Sequence, residues 1–93
     1  MHVTSQYIER LPSGTKLRRG IQIRFEREDC GKVYASAPDL GMWIDGAGAT
    51  EQQALEDLER AITVQRESLI NLDLDIASDY LRKMKSAFES IVA

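Results

Sequence analysis

The side chains able to do chemistry are few in this sequence, and they are scattered. Cys30 is the single cysteine, so no internal disulfide can form, and a zinc ion would be left with His2 and carboxylates, a poor donor set. As a nucleophile the thiol needs a depressed pKa, and the only basic neighbour close in sequence is Lys32, so Cys30 reads as an inert hairpin thiol. His2, the sole histidine, sits near a terminus, where neither a base nor a ligand is held in place. Asp73, Asp75 and Asp79 are spaced as if for a hard cation. An EF-hand loop, however, needs a glycine at its sixth position and a glutamate at its twelfth, and neither falls in register. Turn and helix-cap carboxylates are the better reading. Asp39 and Asp45 flank a bend, but two-metal hydrolysis needs three or four converging acids. No acid, base and nucleophile group can be assembled. The expectation is a protein that is not an enzyme and carries no metal or cofactor.

Binding chemistry is better represented. Lys16, Arg18 and Arg19, continuing to Arg24 and Arg27, suit either phosphate or an acidic protein patch, or else a solvated strand edge whose charge deters aggregation. Residues 1–33 carry a net charge of +3 and the rest of the chain −6, within a total of −3. An acidic majority argues against a protein whose main task is coating nucleic acid. Trp43, between Met42 and Ile44, is either core or an interface anchor. Met42, Trp43, Arg24 and Arg27 are the expected partner-binding set.

These residues need a scaffold, and 93 residues with 43% hydrophobic content can close a single core. No apolar run approaches the roughly 20 residues that cross a bilayer, and no apolar signal segment opens the chain, so a cytoplasmic location is expected. Residues 1–20 are weakly patterned and contain the turn cluster Pro12, Ser13 and Gly14, which suggests an N-terminal arm or edge strand. Residues 21–93 form the expected domain. Ile21, Ile23 and Phe25 alternate with polar residues, as do Val33, Ala35 and Ala37, which predicts a hairpin whose second strand ends at Pro38. Met42, Trp43 and Ile44 suggest a short third strand, closed by Gly46 and Gly48.

Thr50 and Gln53 fit a capping box. The helix it opens repeats Ala54, Leu55, Leu58, Ala61, Ile62 and Leu69 on one face, with Glu56 and Arg60 spaced to pair on the other. The alternation through residues 72–76 suits a short fourth strand. Asp75 or Ser78 can then cap a second helix, whose stripe of Ala77, Tyr80, Leu81, Met84, Ala87, Phe88, Ile91 and Val92 is broad. Either it packs on the first helix or it is shared between subunits. We expect a homodimer or higher oligomer with Tyr80, Met84, Phe88 and Ile91 at its interface. The expected class is α+β: a three-stranded antiparallel sheet, a helix, a possible fourth strand and a C-terminal helix.

One stretch resembles a known family. Tyr34, Ala35, Ser36, Ala37, Pro38, Asp39 and Leu40, the bend at Gly41, then Gly48, Ala49, Thr50 and Gln53, Ala54, Leu55 are similar to the signature of HicB-type antitoxins. There a second strand ends in Pro-Asp/Glu-Leu, a Pro-Gly turn and a third strand follow, and a Gly-x-Thr cap opens a helix. The likeness covers residues 21–70. The chain departs from the pattern in having only Gly41 for the Pro-Gly turn, about one extra residue before Thr50, and Gln53 where glutamate is usual. It also has too few residues from 77 onward for the DNA-binding domain many members add. The resemblance implies a non-catalytic core like a truncated ribonuclease H fold, oligomerisation, and a HicA-like messenger-RNA-cleaving toxin as partner, with nucleic acid unlikely through this chain alone. An RNA-binding module of double-stranded-RNA-binding type is the alternative. It is weakened by the acidic helix opening of Glu51, Glu56 and Asp57.

Overall fold

The computed structural model describes residues 2–41, 44–73, 75, 76 and 78–92. The described chain is α+β, with strands β1 (His2–Arg10), β2 (Lys16–Arg27), β3 (Val33–Ser36) and β4 (Asp45–Gly48), then helices α1 (Glu51–Ile70) and α2 (Asp79–Ile91). The four strands form one antiparallel meander in the order β1-β2-β3-β4. The expected sheet of three strands is thus a sheet of four, because the N-terminal segment pairs with β2 as an edge strand. Ile8 lies opposite Ile21, Gln6 opposite Ile23, Thr4 opposite Phe25 and His2 opposite Arg27, with a register break between Ile8 and Arg10.

Alternation decides which face is wet. Leu17, Ile21, Ile23 and Phe25 of β2, with Val33 and Ala35 of β3, are buried on the face that meets the helices. Arg24, Glu26, Tyr34 and Ser36 point the other way. Helix α1 lies on β3 and β4, whereas α2 lies on β2 and touches α1. The core joins the sheet residues to Ala54, Leu58, Ile62 and Leu69 of α1 and to Met84, Phe88 and Ile91 of α2. Three of the four side chains expected at an oligomer interface are therefore spent inside the single chain. Tyr80 alone stays accessible, at 41% exposure. The α2 stripe is broad because it must cover the long first half of β2, and Val92 closes it with a bridge to Leu17.

The strand expected at residues 42–44 lies one step later in the chain. Met42 and Trp43 fall outside the described residues, Ile44 is buried, and β4 runs through the glycines that looked like terminators. Gly46 is required there, since a Cβ on it would come within 2.2 Å of the Leu58 nitrogen and 2.5 Å of the Ala54 carbonyl oxygen. Helix α1 could not otherwise approach the strand. The short strand expected over residues 72–76 does not form among its described members. Instead Asp73 accepts the Asp75 N–H at 3.0 Å, and the Ile76 N–H reaches the Asp73 carbonyl at 3.3 Å. That local Asx turn outcompetes an extended ladder with no neighbour to pair to.

Both helices open on a side-chain cap. The Thr50 hydroxyl accepts the Gln53 N–H at 3.1 Å, and the Gln53 side chain accepts the Ala49 N–H at 3.0 Å. Ser78, rather than Asp75, caps α2 through the Leu81 N–H. Arg60 pairs with Asp57 and not with Glu56, which instead accepts a hydrogen bond from Gln52.

Candidate partner-binding surface

The helix-free face of the sheet gathers its side chains from all four strands. Tyr34 stands opposite Glu26 on β2 and Ala47 on β4, while Ser36 stands opposite Arg24 and Asp45. Glu26, Tyr34, Ser36 and Asp45 line one shallow depression. Arg24 is held to Glu26 at 3.1 Å, and the Lys32 ammonium sits 5.1 Å from the Tyr34 ring centroid. An aromatic ring flanked by two carboxylates and two tethered cations is a surface suited to a polar protein contact. Arg24 borders this depression through its ion pair with Glu26. Arg27 is exposed at the end of β2, opposite His2. Glu26, Tyr34, Ser36 and Asp45 were not singled out as a group, although the alternation of Tyr34 and Ser36 with Val33 and Ala35 already places two of them on the wet face.

The basic group of β2 does not form one patch. Arg18 and Arg27 lie nine positions apart on a single strand, which is about 30 Å at the usual rise. Arg18 instead joins Arg66 of α1 and Lys85 of α2 around a cleft of about 170 Å³ floored by Leu69, Phe88 and Val92, with Glu89 as its one acid. Lys16 and Arg19 are exposed and stand outside it.

Groups suspected of chemistry stay apart. Cys30 is exposed, and its thiol faces the Glu28 carboxylate at 3.5 Å. Among the described residues no cluster of three or more His, Cys, Asp or Glu side chains is placed to hold a metal, and no described helix is long and apolar enough to cross a membrane. One carboxyl is perturbed. Asp57 is held below the usual carboxylate range by the Arg60 guanidinium and by the Ala47 N–H it accepts at 3.0 Å, partial burial opposing both. Its role is to tie α1 to β4, so the perturbation marks a structural anchor. No protein-family model, curated protein or solved structure matches this chain.

Proposed function

We propose that this protein is a non-catalytic protein-binding module of HicB-like antitoxin type, and that it binds a HicA-like toxin or another protein on the helix-free face of its sheet. The depression around Tyr34, where the Glu26 and Asp45 carboxylates are matched by Arg24 and Lys32, carries the reading, because it offers a ring and charges of both signs to a polar protein surface. The order β2-β3-β4-α1 supports it, since the HicB-like motif runs through β3, the Pro38–Leu40 turn and the Thr50 cap in the sequence the resemblance implies.

The test is co-expression with the neighbouring reading frame. A stoichiometric complex is expected, and Tyr34→Ala together with Asp45→Lys should abolish co-purification while leaving the far-ultraviolet dichroism unchanged. Complex formation indifferent to both substitutions would place the partner elsewhere. The cleft at Arg18, Arg66 and Lys85 is the feature that favours an anionic partner instead. Binding of a short RNA duplex there should weaken steeply with salt, in proportion to the phosphates neutralised.

A further inference from the structure

The two edges of the sheet are not alike. At one end β4 has only four residues, and the amide of Ala47 on it is already taken by the Asp57 carboxylate at 3.0 Å. At the other end β1 runs for nine residues and pairs only with β2. Sheet edges that must stay single carry charges, prolines or bulges. Residues 2–8 have no Asp, Glu, Lys, Arg or Pro, and their pairing to β2 is regular up to Ile8. The charged pair Glu9 and Arg10 begins where that regularity ends.

The exposed apolar groups of this edge are also arranged symmetrically. Val3 is 47% and Tyr7 62% exposed, and both lie on the helix-free face. Ser5 is midway between them. The Tyr7 ring lies over Gly20, where an added Cβ would come within 2.2 Å of it, so the glycine leaves room for the ring on this face.

We propose that the protein self-associates through β1, two copies aligning these edges antiparallel about a twofold axis at Ser5. The axis stands perpendicular to the sheet, so each residue keeps its face and opposed residues share one parity. Val3 of one copy then meets Tyr7 of the other, twice. Thr4 meets Gln6, His2 meets Ile8, and Ser5 meets its own copy. Moving the axis to Gln6 brings Glu9 against Val3, and moving it to Tyr7 brings Glu9 against Ser5 and runs across the register break. Moving it to Thr4 confines the pairing among residues 2–8 to residues 2–6 and takes Tyr7 away from Val3. The Ser5 register alone uses the whole uncharged segment, and it joins two four-stranded sheets into one of eight with all helices on the same face. This association is independent of the partner surface proposed at Tyr34.

The experiment is sedimentation velocity across protein concentration, with Ser5→Glu as the test variant. Ser5 lies opposite Arg24 within its own protomer, so the introduced carboxylate finds a cation there and the fold is retained. Across the twofold axis two such carboxylates would face each other, which should raise the dimer dissociation constant by roughly tenfold or more. A wild-type mass near twice 10.5 kDa that reverts to the monomer in the variant, with the thermal midpoint unchanged at low concentration, is the expected result. In a Cys30→Ser background, Ser5→Cys should oxidise to a covalent dimer faster than Thr4→Cys, since only position 5 faces itself. A wild type that stays monomeric at all concentrations would overturn the proposal, as would a dimer indifferent to Ser5→Glu.

Discussion

At the scale of single residues, the helix and the sheet are locked together by two unlike devices at adjoining positions of β4. Gly46 admits the backbone of α1, and Ala47 donates to Asp57 on that helix. Gly46→Ala inserts a methyl group against main-chain atoms that cannot swing aside, so it should cost about 3 kcal/mol or more, read as a fall in the urea midpoint. Asp57 acts through charge, and the direction of its pH dependence follows from its lowered pKa. A carboxyl whose pKa is lower in the folded state contributes stability that is present above the ordinary carboxylate range and lost as pH falls through the lowered value. Asp57→Asn should therefore be less stable than wild type at neutral pH. The gap between the two urea midpoints should close as the pH drops below that range. A gap that stays constant to low pH would show that Asp57 acts by hydrogen bonding alone.

At the scale of elements, what could be read from the sequence depended on how completely each element was buried on one side. Ile21, Ile23 and Phe25, and the α1 stripe through Ala54, Leu58 and Ile62, are buried on one face only, so their periodicity is plain. Strand β1 was legible only as an arm or edge strand because it lies at the sheet margin, where its residues up to Tyr7 are exposed on both faces and no alternation develops. Its hold on the fold comes from β2 and from the turn, where Ser13 donates through its N–H to Glu59 at 3.1 Å and through its hydroxyl to the same carboxylate. Strand β4 lies later than its sequence suggests because its glycines are set by the close packing of α1 against it, which alternation does not reveal. The candidate surface was legible at Arg24, but Glu26, Tyr34, Ser36 and Asp45 converge only through the strand register. For α2 the breadth of the stripe was legible, while its destination in the core was not. Phe88, at 2% exposure, should cost about 3–5 kcal/mol when replaced by alanine. Tyr80→Ala should cost much less, and thermal melts of the two variants give the comparison. The Thr50 cap is simpler: Thr50→Ala removes the acceptor for the Gln53 N–H and should cost about 1 kcal/mol by urea unfolding.

At the scale of the whole molecule, one core binds the end of the long hairpin, the short strands and both helices, while β1 up to Tyr7 stands outside that core. Stability should therefore be unevenly distributed. Ile23, Leu58 and Ile62 are fully buried, and their amides should exchange with solvent only through global unfolding. Amides of β1 that point away from β2 lie on the sheet edge, where no described strand pairs with them, so in dilute solution they should exchange within the fastest class. Pairing between two β1 edges would change this in one place only, because the outward amides of residues 2–8 would gain carbonyl partners while the helices gained none. Hydrogen exchange followed at low and high protein concentration separates these cases. Protection that rises with concentration in β1, and stays constant in α1 and α2, places the contact at the edge, since mass action stabilises only the amides that the association covers. Protection rising in α2 instead would put the contact on the surface around Tyr80 and leave the β1 edge solvated.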